Sequence, residues 1–171
     1  RAVHAVATSI SHIETLKPGS VLLSIRVEED AADTPVPFVF PRGKYIIVGV
    51  PGAFTGTCHA QVPEYIEQLE AFNAKGVEQI AAVAVNDVFV LKSWKESLAP
   101  GGTAVRFISD DGGAFITALG LLFDVTPVLG GVRSKCYVII ANGDKVESVA
   151  VEQVPSQLTV TDAKTVLAQL G

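Results

Sequence analysis

From residue 45 onward, short aliphatic runs alternate with segments of helical periodicity, and this alternation restricts the fold more than any other feature. The runs are YIIVGV (45–50), QIAAVAVN (79–86), VRFIS (105–109) and CYVII (136–140), the last joined through Asn142-Gly143 to KVESVAV (145–151). The first three are continuously apolar, as strands covered on both faces are, whereas Asn-Gly favours a two-residue type I′ hairpin. Parallel-type and hairpin strands interleaved with helices predict an α/β chain with a central mixed β-sheet flanked by helices.

The segment after Cys58 places Val62, Tyr65, Ile66, Leu69 and Phe72 at intervals of three and four, one apolar stripe, with Gly76 positioned as a C-cap. Pro63 is tolerated only near a first turn or at a kink, so the helix is expected to start around 59–62 or to bend there. A second helix is expected over 88–98 with Leu91, Trp94 and Leu98 inward. A third, AFITALG, follows the turn Asp110-Asp111-Gly112-Gly113. Thr161 or Asp162 caps a last helix carrying Val166, Leu167 and Leu170. EEDAADTPVPF (28–38) reads as a loop or a pair of short edge strands. No repeat or Gly/Ser-rich linker divides the chain, so residues 1–171 are expected to form one domain, with 1–40 as an N-terminal extension and edge strands.

Apolar residues make up 49 % of the sequence and charged residues 18 %, yet no run approaches the ~18 apolar residues of a membrane span. The formal net charge is −5, and the densest basic stretch is Arg133-Ser134-Lys135, which argues against nucleic acid as a partner, as the hydropathy argues against a membrane. Two cysteines in 171 residues do not make a secreted disulfide framework and suit a reducing compartment, cytoplasmic or organellar. The first 13 residues lack Asp and Glu, the bias of an organelle transit segment, which admits a mitochondrial location. Three scattered histidines offer no metal-ligand spacing, and the Asp110–Gly113 turn lacks the further ligands of a calcium loop. Neither a metal nor a cofactor is expected.

Chemistry concentrates at PGAFTGTC, 51–58, where a strand ends and a helix begins. A lone cysteine is ordinarily a small buried hydrophobe. Here Gly52 and Gly56 permit close backbone approach, Pro51 stiffens the loop and Thr55 brings a hydroxyl three residues before the sulfur. Free N–H groups at a helix start favour a thiolate. Lowering a thiol pKa by ~2–3 units takes about 3–4 kcal/mol, and a helix end supplies about 0.3–2 kcal/mol, so a further cation is required. His59 is no base for its neighbour, since adjacent helical residues point ~100° apart; a solvated position suits it. Trp94 and Phe89 suit the core or an interface.

The arrangement resembles the Pro-x-x-x-Thr-x-x-Cys motif of the peroxiredoxins. PGAFT before Cys58, VPEYIE after it, VAVND followed by FV and Trp94, and RSKCYVII are similar to the type II, or peroxiredoxin-5-like, subfamily over roughly residues 45–171. The resemblance implies a thioredoxin-like fold and a thiol-dependent peroxidase that reduces hydrogen peroxide and alkyl hydroperoxides. It further implies Cys58 as peroxidatic nucleophile, Thr55 as the hydroxyl that bonds sulfur and peroxide, Pro51 as a shield against water and Arg133 as the missing cation. A homodimer is likewise implied. By spacing alone, an arginine at a strand start would be a solvated surface group.

Many relatives carry a second, resolving cysteine late in the chain or in the strand before VND; here those regions read SQLTVTD and QIAAVAV. Cys136 remains, at a position where relatives commonly have Arg. In an uninterrupted strand residues 133 and 136 project to opposite faces, so Cys136 is expected to face away from a pocket that Arg133 faces. A one-cysteine mechanism follows, with glutathione/glutaredoxin or thioredoxin as the external reductant. The competing classes are a thiol–disulfide oxidoreductase, disfavoured because Thr55 stands where Cys-x-x-Cys needs a thiol, a redox-sensing or chaperone module on the same fold, and a cysteine hydrolase, for which no base is marked.

Overall fold

A computed structural model describes residues 15–39 and 42–171, with the side chains of Cys58 and His59 outside the described set. The expectations for the first 13 residues and for His59 therefore lie outside the described residues.

In chain order the strands are β1 (Arg26–Val27), β2 (Val36–Pro37), β3 (Lys44–Val50), β4 (Val77–Ala84), β5 (Arg106–Ser109), β6 (Leu122–Asp124), β7 (Val132–Ser134), β8 (Tyr137–Asn142) and β9 (Lys145–Val151). The helices are α1 (Gly56–Glu67), α2 (Leu69–Ala74), α3 (Val88–Leu98), α4 (Ala114–Leu119), α5 (Thr126–Leu129) and α6 (Ala163–Gln169). Five strands form the central sheet in the order β5-β4-β3-β8-β9. β3, β4 and β5 pair in parallel, whereas β8 joins β3 and β9 antiparallel, so the expected mixed sheet is present. β1 with β2 and β6 with β7 make two short antiparallel pairs.

The side-chain period of two in β3 divides the core. Ile46, Val48 and Val50 pack with Val62 and Tyr65 of α1, Phe72 of α2, Leu91 and Trp94 of α3 and Val166 of α6. Tyr45 and Ile47 face the opposite layer with Ile108, Phe115, Ile116 and Leu119. Asp110 is buried and caps α4 with its carboxylate, accepting the N–H groups of Phe115 at 3.0 Å and Ile116 at 2.9 Å. Asp162 caps α6 by accepting from Thr165 N at 2.9 Å, and Asp87 caps α3 by accepting from Val90 N at 2.9 Å.

Two local expectations are corrected. The helix after the glycine-rich loop starts at Gly56 and contains Pro63; it is interrupted at Gln68, where α2 takes over. The β8–β9 turn is Gly143-Asp144, because Asn142 pairs with Lys145, and only Gly143 of the two has positive φ, which excludes type I′. Of the two residues expected in the core or at an interface, Trp94 is fully buried, whereas Phe89 is 71 % exposed, which leaves it the interface alternative.

Candidate active site

β3 delivers the chain to Pro51, and α1 begins five residues later with Thr55 as N-cap (φ −84°, ψ 123°). Cys58 is the third residue of α1, in the turn whose backbone N–H groups have no intrahelical acceptor. Thr55 does not cap with its side chain; its hydroxyl donates to the Gly52 carbonyl at 2.6 Å, turning the loop back on itself. Phe54 has φ 61°, the one non-glycine left-handed residue among those described, which costs roughly 1–2 kcal/mol. Its ring, 49 % exposed, lies 6.4 Å from Trp94. The backbone just before this strained residue is fixed by Asn86, whose Oδ1 accepts from Ala53 N at 2.9 Å.

Arg133 reaches this loop from β7. Its half-buried side chain donates from Nη1 to the Val85 carbonyl at 2.8 Å, and the next residue, Ser134, is buried and donates from Oγ to the Val50 carbonyl at 2.9 Å. The convergence is measurable at Gly52. A methyl group there would lie 3.1 Å from the Thr55 Cγ2, 3.3 Å from Arg133 Nη1 and 3.6 Å from Asn86 Oδ1. The Thr55 side chain, the Arg133 guanidinium and the Asn86 amide thus meet over one glycine, four residues before α1. Pro51, Thr55 and Gly56 also line an open cavity of about 430 Å³ whose wall is mostly carbon, from Phe123, Val128 and Leu129. Pro51, Thr55 and Arg133 are therefore neighbours, and the backbone of Cys58 follows Thr55 by three residues in the first turn of α1; its side chain is not described.

Cys136 is not reached along the uninterrupted strand assumed for it. The strand is not continuous: β7 stops at Ser134, Lys135 N still donates in register to the Leu121 carbonyl at 3.1 Å, the Cys136 carbonyl already accepts from Glu152 N at 3.0 Å on the other side, and β8 starts at Tyr137. The alternation argument for opposite faces therefore lapses. Cys136, 1 % exposed, packs on the sheet face that carries α1. It lines a cavity of about 170 Å³ that shares Phe123 and Pro155 with the larger one.

Sequence reasoning also missed the support behind α1. Glu152, 4 % exposed, accepts the backbone N–H groups of Thr159, Val160 and Thr161 at 2.8–2.9 Å and the hydroxyls of Thr159 and Thr161 at 2.7 and 2.9 Å. Burial opposes its ionisation, but these donors outweigh it and hold the carboxyl at about 2. The loop so fixed presents the Thr161 carbonyl to Gln61 Nε2 at 3.1 Å and to the Tyr65 hydroxyl at 2.7 Å. The Ser156 carbonyl accepts from Thr57 Oγ1 at 3.2 Å. A Glu followed by Thr at seven and nine residues was the available signal, and it is too common to have been decisive.

Comparison with known proteins bears on this geometry. The Redoxin family profile matches residues 26–167. "Peroxisomal membrane associated protein 20" of Schizosaccharomyces pombe is 42 % identical over 153 residues, spanning 89 % of this chain and 97 % of that protein. "Peroxiredoxin-2F, mitochondrial" of Arabidopsis thaliana is 36 % identical, over 92 % of this chain and 81 % of that one. Among solved structures, reduced Prx3 of Vibrio vulnificus in complex with hydrogen peroxide superimposes with a TM-score of 0.84 at 33 % identity, covering 91 % of this chain and 96 % of that chain. Peroxiredoxin 5 of Alvinella pompejana gives 0.82 at 30 % identity, covering 91 % and 97 %. The mixed sheet is thus the thioredoxin-like fold of these proteins, and the chain belongs to the Redoxin family as a peroxiredoxin of the type II, peroxiredoxin-5-like branch, a thiol-dependent peroxidase.

Proposed function

We propose that the chain reduces hydrogen peroxide and alkyl hydroperoxides through a sulfenic acid on Cys58, in a one-cysteine cycle closed by an external thiol, glutathione/glutaredoxin or thioredoxin. The observation that carries this reading is the meeting of Thr55 and Arg133 at Gly52, just ahead of α1, with Thr55 and the start of α1 lining an apolar cavity. The guanidinium and the free N–H groups of the turn favour the thiolate over the thiol, and the same donors stabilise charge that develops on the peroxide oxygens.

The Cys58 thiolate attacks one peroxide oxygen. An S–O bond forms as the O–O bond breaks, sulfur loses two electrons, and the departing oxygen takes a proton and leaves as water or alcohol. An external thiol then condenses with the sulfenic acid, releasing water and leaving a mixed disulfide. A second thiol attacks that disulfide, which returns Cys58 and releases an external disulfide. Thr55 orients the attacking and accepting groups through its hydroxyl, and Pro51 keeps water from the pocket. No metal or cofactor enters these steps.

The carbon-lined cavity beside Thr55 suits the alkyl portion of an organic hydroperoxide. Pairing into a homodimer is supported by apolar side chains left in solvent at Phe54, Phe89 and Val128. The names of the two relatives, one mitochondrial and one peroxisomal, support an organellar compartment. Among the described residues no helix is long and apolar enough to cross a membrane, and neither a membrane nor a nucleic acid is proposed as a partner.

The test is a turnover assay of the Cys136→Ser variant with hydrogen peroxide against glutathione with glutaredoxin, and against thioredoxin. Turnover within about twofold of wild type with one donor supports the one-cysteine cycle. Loss of turnover with preserved sulfenic acid on Cys58 assigns resolution to Cys136 and overturns it.

A further inference from the structure

The end of β4 touches both halves of the site. Val85 and Asn86 follow β4 directly, and three separate bonds leave this pair. The Val85 carbonyl accepts from Arg133 Nη1 at 2.8 Å, Asn86 Oδ1 accepts from Ala53 N at 2.9 Å, and the Asn86 carbonyl accepts from Ser109 Oγ at 2.6 Å. Asp87, the next residue, is pinned as the N-cap of α3. Ser109 is itself locked by β5 pairing and by two backbone bonds with Glu28, at 2.9 and 2.7 Å. The two-residue platform is therefore held from three sides without help from the Asn86 side chain.

We propose that Asn86 is a positioning residue for the peroxidase reaction: its side chain fixes the Pro51–Thr55 loop at a set distance from the arginine that the neighbouring carbonyl holds. This rests on the reading of Cys58 and Arg133 given above. The loop strains at Phe54, and the Ala53 N–H bond to Asn86 secures the residue before that strain. Ala53 is followed by Thr55 and by the start of α1, so a loop released from Asn86 displaces the hydroxyl and the helix end together relative to the guanidinium. Reacting groups displaced by ~1 Å lose up to ~100-fold in rate. Asn also meets a charge requirement. An aspartate has an acceptor in the same place, but would set a carboxylate beside Gly52, where Arg133 Nη1 also lies, and would compete with the thiolate for that cation.

The experiment measures Cys58 oxidation by hydrogen peroxide in the full chain, across pH, for wild type, Asn86→Ala, Asn86→Asp and Cys58→Ser, with thermal unfolding as a check on folding. Asn86→Ala is expected to lower the second-order rate constant about 10- to 100-fold even where the thiol is fully ionised. Asn86→Asp is expected to recover at least a tenfold part of that loss at high pH, while moving the pH midpoint of the reaction upward. If Asn86→Ala does not fold, Asn86→Asp decides alone: an unshifted midpoint overturns the inference. An Asn86→Ala rate within twofold of wild type overturns it too, as do equal losses in both variants with unchanged midpoints, which would mark Asn86 as structural only. Oxidation that persists in Cys58→Ser would overturn the underlying reading instead, and is separately visible.

Discussion

Gly49 and Tyr137 face each other across the antiparallel pairing of β3 and β8, and the Tyr137 ring occupies the space that any side chain at Gly49 would fill. The chain therefore needs glycine two residues before Pro51 for room, since the backbone there is ordinary extended strand. Gly49→Ala is expected to destabilise the fold by about 1–3 kcal/mol through overpacking, read from urea unfolding. Tyr137→Phe has the opposite expectation. The hydroxyl is buried with no hydrogen-bond partner among the described residues, and burial pushes its pKa well above the usual phenol range. Removing it should leave stability unchanged or raise it by about 1 kcal/mol.

Gly52→Ala probes the site itself. The added methyl would press on Thr55 Cγ2 and Arg133 Nη1 at 3.1 and 3.3 Å, so either the hydroxyl or the guanidinium must shift by a few tenths of an ångström. The fold should persist, while the rate of peroxide reduction falls about tenfold. Stopped-flow oxidation with hydrogen peroxide checks this.

The apolar cavity predicts a substrate split. Val128 is 82 % exposed on its wall, so Val128→Asp carries little folding cost and places a charge where an alkyl group would lie. The kcat/KM for cumene hydroperoxide is expected to fall about tenfold, within the range seen when an apolar pocket is altered, with that for hydrogen peroxide nearly unchanged. Equal losses for both substrates would remove the cavity from substrate binding.

Glu152 gives the fold an acid-sensitive clamp. Its folded pKa, about 2, lies below the usual carboxylate value of 4.5, so its contribution is complete above pH 4.5 and is lost as pH falls toward 2. Glu152→Gln should cost about 2 kcal/mol at pH 7, a figure discounted for solvent screening, and the difference from wild type should vanish near pH 2. Asp110 acts with the opposite sign. Burial raises its pKa against the pull of the α4 N–H groups, so its charge is a liability that acid relieves. Urea unfolding of wild type and Glu152→Gln at several pH values measures the clamp.

The parts legible in the sequence were those decided locally. The α3 bounds, Val88–Leu98, agree with those expected from the Leu91/Trp94/Leu98 stripe, a signal contained within one dozen residues; the Asp87 cap is not part of that reading. The β8–β9 turn lies one residue later than expected: the β8–β9 register shifts between Ile140 and Ala141, and Gly143 N extends the β3–β8 pairing to the Gly43 carbonyl at 3.0 Å, long-range pairings that dipeptide preference cannot see. Arg133 became readable as a site residue only through family resemblance, since nothing in its spacing brings it to Gly52 across the chain. The alternation argument for Cys136 assumed an uninterrupted strand, whereas the chain passes at Lys135 from the β6–β7 pair to the central sheet, a change of partner that no local pattern in the sequence marks. Asn86 was quoted in a motif without its role, which exists only once β4 has delivered it beside Ala53.

The most direct test of the central claim is the consumption of a substoichiometric dose of hydrogen peroxide by wild type and by Cys58→Ser, with a sulfenic-acid trap and mass analysis of both cysteines. The account predicts rapid peroxide loss and a trapped adduct on Cys58 in wild type, and neither in Cys58→Ser. Undiminished consumption by Cys58→Ser, or an adduct formed on Cys136 with none on Cys58, would contradict it.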